Sequence, residues 1–133
     1  MLINIYTSVS WYRYKNELKI STDSGRSTRP LIIVDKFKNM LLATYPQLPI
    51  GSPLSPSTLV GPLIDKDAVE NYKTALEQLK QQGGKILVGG EVLSGEGYES
   101  GCYVQPTIAE AENSYPIVQH ETFAPILYML KYK

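Results

Sequence analysis

The residue pattern predicts an α/β fold, and three observations carry that prediction. Apolar residues recur at helical spacing between Asp65 and Gly83. A compact β-type run, Lys85-Ile86-Leu87-Val88, follows after two glycines. Two further extended runs, Tyr103-Val104-Gln105-Pro106-Thr107-Ile108 and Ile126-Leu127-Tyr128-Met129-Leu130, lie beyond it.

Residues 1–29 mix Ile, Tyr, Val and Trp with Lys, Arg and Ser and end in the turn-rich Ser21-Thr22-Asp23-Ser24-Gly25, with neither a helical nor an alternating period. Leu31-Ile32-Ile33-Val34 is a run of aliphatic, mostly β-branched residues and predicts a short buried strand. Asp35 then stands where a helix cap would, before a helix to about Tyr45. Its apolar side would be Phe37, Met40, Leu41 and Ala43, and Pro46 would stop it.

Between Pro46 and Pro62 the chain holds five prolines with Gly51 and Gly61, which rules out a regular element and predicts a long, stiffened loop lying against something. Asp65 caps the clearest helix. Ala68, Val69, Tyr72, Ala75, Leu76 and Leu79 form one face, while Lys66, Glu70, Lys73, Glu77 and Lys80 fall mostly on others. Gly83 ends it, and the strand at residues 85–88 follows through a tight connection. Gly89-Gly90 and Gly95-Glu96-Gly97 mark turns around Val92-Leu93. Pro106 cannot donate to a ladder, so residues 103–108 are predicted at a sheet edge, and residues 126–130 form the last strand.

At 133 residues, 43% hydrophobic and 20% charged, the chain has the composition of an ordinary globular domain. Its formal charge is zero but unevenly placed. Residues 1–64 carry seven Lys/Arg against three Asp/Glu, a net of +4, and residues 65–133 carry six against ten, a net of −4. Neither half is basic enough to predict nucleic-acid binding. One cysteine, Cys102, excludes an internal disulfide, and no run approaches the roughly 20 apolar residues of a membrane span. The apolar start at Met1 is broken by polar residues and makes a poor signal peptide.

The glycines do not spell a phosphate loop. Gly84-Lys85 is followed by Ile86, and Gly95-Glu96-Gly97-Tyr98-Glu99-Ser100-Gly101 is one residue too long for the dinucleotide fingerprint and opens no helix. Asp65, Asp67 and Glu70 read as first-turn acids favoured by the helix dipole, and Glu110 and Glu112 as a solvated stretch. His120 is the sole histidine, so no pair of histidines can hold a metal within one chain. Any Ser-His-Asp arrangement would have to use His120, and a Cys102–His120 dyad is a further nucleophilic reading, against the plainer one of Cys102 as a small buried hydrophobe. The densest chemistry lies at His120-Glu121-Thr122-Phe123-Ala124-Pro125: Glu121 and Phe123 are spaced to face the same way on extended backbone. A carboxylate and an aromatic so placed can hold a hydroxyl-bearing ring, one by hydrogen bonds and one by packing.

Five landmarks then stand in a familiar order: Ile50-Gly51-Ser52-Pro53-Leu54; Leu59-Val60-Gly61-Pro62-Leu63-Ile64; the helix ending at Gly83-Gly84 with Val88-Gly89-Gly90; Tyr103 to Ile108; and Glu121-Thr122-Phe123-Ala124-Pro125. With them, residues from about Asp35 to Lys133 resemble the C-terminal part of the catalytic domain of NAD(P)-dependent aldehyde dehydrogenases. Ala124 and the continuation Pro125-Ile126-Leu127-Tyr128 look most like the antiquitin-like branch, which oxidises α-aminoadipic semialdehyde.

The resemblance implies a partial catalytic domain over residues 30–133, an open sheet with flanking helices and no Rossmann cofactor domain, preceded by an unmatched segment, residues 1–29. It implies that Glu121 binds the ribose hydroxyls of NAD or NADP and that Phe123 packs near the nicotinamide. His120 and Ser52 depart from the usual Glu and Asp. The family oxidises its aldehyde through a Cys thioester and needs a thiolate, a base and an oxyanion-stabilising amide; no residue here matches them, so no catalytic residue and no metal ligand is assigned. The family's Gly-Gln-x-Cys corresponds only loosely to Gly25-Arg26-Ser27-Thr28-Arg29, and Cys102 occupies a different place.

Three functional readings follow. The first is an enzyme fragment, inactive alone, from a truncated or alternatively started product or one with a foreign beginning. The second is a noncatalytic module that associates with itself or with full-length subunits, as dimers and tetramers are common in the family. The third is a Cys102–His120 hydrolase. The resemblance implies the cytoplasm, with mitochondria as the alternative, while the charge balance and the lack of an apolar span predict neither nucleic acid nor membrane as a partner.

Overall fold

The helix predicted from Asp65 is the frame on which the rest is built. In the computed structural model, which describes the backbone of residues 5–7 and 30–130 and the side chains of residues 35–130, this is helix α2, Lys66–Gln81. The Asp65 carboxylate accepts the Ala68 N–H at 2.8 Å and so satisfies one of the orphan donors of the first turn. All six residues of the predicted apolar face are buried, with Tyr72 and Leu79 fully so.

The other elements are β1 (Ile5–Thr7), α1 (Pro30–Thr44), a 3₁₀ turn (Tyr45–Gln47), β2 (Lys85–Val88), β3 (Thr107–Ala111), α3 (Pro116–Gln119) and β4 (Ile126–Leu130). The four strands form one sheet in the order β1-β4-β3-β2, with β3 and β4 parallel and the outer pairs antiparallel. The α/β expectation is met.

Both faces of the sheet are covered, which explains why β4 reads as an unbroken apolar run. Ala109, Ile126, Tyr128 and Leu130 pack in one cluster with Val69, Tyr72, Ala75, Leu76 and Leu79 of α2 and Ile117 and Val118 of α3. The alternate residues Ile108, Leu127 and Met129 pack with Leu41 and Leu42 of α1 and with Tyr45.

Gly89 is required where β2 leaves the sheet. Its φ is +78°, and a Cβ there would lie 2.3 Å from the Pro106 carbonyl oxygen. The proline-rich stretch forms a pinched loop. Gly51 N–H donates to Val60 O, Leu59 and Val60 N–H both donate to Pro49 O, and the tip projects Leu54, 93% exposed. It lies against residues 98–103, through Tyr98 Oη to Ile50 O and Leu63 N–H to Cys102 O.

Three expectations are corrected. Residues 31–34 are helical: Pro30 opens α1 at a position where its missing N–H costs nothing, and Asp35 lies inside the helix instead of capping it. A short aliphatic run cannot by itself distinguish the two states. The run from Tyr103 is not at a sheet edge, because β3 starts one residue after Pro106 and lies between β4 and β2. Residues 103–105 instead bond across to residues 91–93, through Leu93 N–H to Tyr103 O and Gln105 N–H to Glu91 O. Glu110 is not part of a solvated stretch either: it sits in β3, half-buried, and pairs with Lys38 of α1 across the sheet face.

Candidate functional site

Residues 120–125 connect α3 to β4, and both ends are anchored. At one end the side-chain Oε1 of Gln82, the residue after α2, accepts the Ile117 N–H at 3.1 Å, while Ile117 and Val118 are buried. At the other end the Pro125 carbonyl accepts the Thr107 N–H at 2.8 Å, joining the segment to the start of β3. Between them Ala124 N–H donates to Thr122 O at 2.7 Å and Ile126 N–H to Ala124 O at 2.8 Å, two successive three-residue turns.

Burial alternates along this segment. Thr122 and Ala124 point into the protein, whereas Glu121 and Phe123 are exposed, Phe123 by 70%. Phe123 is one of five large apolar side chains exposed among the described residues, with Met40, Leu54, Leu59 and Ile64. The Glu121 carboxylate has no hydrogen bond or ion pair among the described residues and is free to accept two hydroxyl donors. A diol-bearing ring with an apolar face fits this pair. Gly95, Gly97 and Gly101 have positive φ, and a Cβ at each would meet open space.

The remaining candidates separate from this pair. Asp65 is occupied as a cap, Asp67 is exposed, and Glu70 pairs with Lys73. Cys102 is half-buried with Sγ 3.6 Å from Ser100 O, His120 is exposed at the end of α3, and no hydrogen bond joins the two among the described residues. No group of three metal-ligating side chains occurs among the described residues. Ser27 and its neighbours Gly25 to Arg29 lie outside the described residues, as does most of the 1–29 segment.

A buried polar group escaped the sequence reading. Tyr72 Oη lies 2.6 Å from Thr107 Oγ1 and donates to Gln105 O at 2.8 Å. Burial pushes the Tyr72 phenol above its ordinary pKa, against the lowering effect of the Thr107 hydrogen bond. The signal was a tyrosine on an otherwise apolar helix face, whose hydroxyl must find a partner inside.

Comparison with known proteins extends these observations. Residues 25–133 match the family model described as "Aldehyde dehydrogenase family", and residues 1–35 match one described as "RNA polymerase Rpb2, domain 4". The chain is 44% identical over 101 residues to aldehyde dehydrogenase family 7 member B4 of Arabidopsis thaliana, covering 76% of this chain and 19% of that protein. It is 42% identical over 102 residues to the α-aminoadipic semialdehyde dehydrogenase of Rattus norvegicus, covering 76% and 17%. A solved structure of betaine aldehyde dehydrogenase from Staphylococcus aureus in complex with NAD+ superimposes with a TM-score of 0.70 at 26% identity, over 75% of this chain and 20% of that one. The chain therefore spans about a fifth of the length of the relatives it matches.

Proposed function

The chain belongs to the aldehyde dehydrogenase family, and from that premise we propose that it carries one edge of the nicotinamide site of an NAD(P)-dependent enzyme that oxidises an aldehyde to a carboxylic acid. The observation that supports this reading is the paired outward projection of Glu121 and Phe123 from buried Thr122 and Ala124. The cofactor supplies the hydride acceptor when bound. Glu121 accepts hydrogen bonds from the two ribose hydroxyls, and Phe123 restricts where the ring can lie. The relatives' names favour α-aminoadipic semialdehyde as the aldehyde.

No residue of this chain matches the family's thiolate, base or oxyanion amide, so the reading assigns turnover to a larger assembly and none to the chain alone. Residues 30–133 act as the partial catalytic domain and residues 1–29 as a separate segment in this reading; the two family matches overlap at residues 25–35. No helix among the described residues is long and apolar enough to cross a membrane; the proposed location is the cytosol or mitochondria.

Titration of the isotopically labelled chain with oxidised nicotinamide mononucleotide tests this. Amide shifts should concentrate at residues 120–124 and disappear in Glu121→Ala; equal responses in the two proteins would overturn it.

A second reading, association with itself or with full-length subunits, is favoured by the exposure of Leu54 and Ile64, each above 90%. Sedimentation should then show concentration-dependent association, and a clean monomer that ignores a full-length homologue contradicts it.

A further inference from the structure

We infer that Tyr72 and Thr107 are positioning residues whose hydroxyls hold the Glu121–Phe123 turn in place, an inference that rests on reading that turn as the nicotinamide edge. Both residues are fully buried, and their polar atoms form a closed set. Tyr72 Oη donates to Gln105 O at 2.8 Å, which leaves the Thr107 hydroxyl proton for Tyr72 Oη at 2.6 Å, with Gln105 O also within its reach at 3.1 Å. The same Thr107 donates its backbone N–H to Pro125 O at 2.8 Å. Pro125 directly follows Ala124, whose N–H closes the turn that carries Phe123.

Two hydrogen bonds, joined through the covalent frame of Thr107, therefore link the body of α2 to the C-terminal end of the site segment. Its N-terminal end is tied to the end of the same helix, through Gln82 Oε1 and Ile117 N–H. Tyr72 of α2 and Gln82, the residue that caps it, thus hold the segment at two points. Space alone does not require this arrangement. Phe and Val would fill nearly the same volume at positions 72 and 107, but each would remove one hydroxyl of the set, Phe the shorter donor to Gln105 O and Val the partner of Tyr72 Oη. What the hydroxyls add is direction, and the direction decides where Phe123 points.

The test uses the full chain and three variants: Tyr72→Phe, Thr107→Val and Thr107→Ser. Hydrogen exchange is read at the amides of Thr107, Ala124 and Ile126, with α2 amides as the internal reference. Tyr72→Phe and Thr107→Val should speed exchange at those three sites by about tenfold, the equivalent of one hydrogen bond, with α2 unchanged; Thr107→Ser should behave as wild type. In the mononucleotide titration the first two should lose the Phe123 response and the serine variant should keep it.

Uniform acceleration through α2, or a Thr107→Val protein indistinguishable from Thr107→Ser, overturns the inference. Should Tyr72→Phe fail to fold, the Val and Ser pair at position 107 gives the same decision. The expected exchange pattern in a wild-type chain that ignores the mononucleotide overturns the nicotinamide reading and supports the brace.

Discussion

The backbone N–H of Thr107 donates to the carbonyl of Pro125 at 2.8 Å, so the first residue of β3 holds the last residue before β4. Everything proposed for Glu121 and Phe123 depends on that junction. It turns a loop between a helix and a strand into a presented edge.

Because Glu121 and Phe123 face solvent, truncating either should leave stability within about 0.5 kcal/mol of wild type. Chemical denaturation of Glu121→Ala and Phe123→Ala checks this. A loss of several kcal/mol would mean that the two side chains serve the fold and not a ligand.

Leu79→Ala is expected to cost about 2–5 kcal/mol, since Leu79 is fully buried between α2 and the sheet. The same denaturation series should show Leu59→Ala, half-exposed on the loop, costing far less.

Gly89→Ala combines a positive φ with a backbone oxygen 2.3 Å from the new Cβ, whereas Gly95→Ala meets a positive φ but open space. The first should destabilise by more than about 2 kcal/mol and the second by about 1 kcal/mol. Thermal melts of the two variants compare them directly, and equal losses would contradict the close approach of residues 89 and 106.

Burial raises the phenol pKa of Tyr45, Tyr72 and Tyr128 above the ordinary value of about 10. A raised folded-state value means that the native state holds its proton more tightly than the unfolded chain does. The resulting stability is fully present below about pH 10 and is lost as pH rises through the folded values. Urea midpoints measured from pH 8 upward should be flat at first and then fall. Tyr72→Phe should shrink the fall.

The amphipathic stretch at residues 66–81 was legible because its period, its Asp65 cap and its terminal glycine all agree. The exposure of Glu121 and Phe123 on either side of buried Thr122 follows the alternation read from the sequence. Residues 31–34 were misread because four aliphatic residues suit either state, and only Pro30 at the helix start distinguishes them. The position of β3 was misread from Pro106, which stands just outside the ladder. The Tyr72–Thr107 contact could not be read at all: it joins residues 35 apart, and they meet only because α2 packs on the sheet beside β3.

The most direct test of the central claim is an intermolecular nuclear Overhauser measurement between the Phe123 ring protons and the nicotinamide protons of added oxidised mononucleotide. The account predicts cross-peaks between the two rings that vanish in Glu121→Ala, where the ribose is no longer held. Their absence in a folded wild-type chain saturated with the mononucleotide, or their persistence without Glu121, would contradict it.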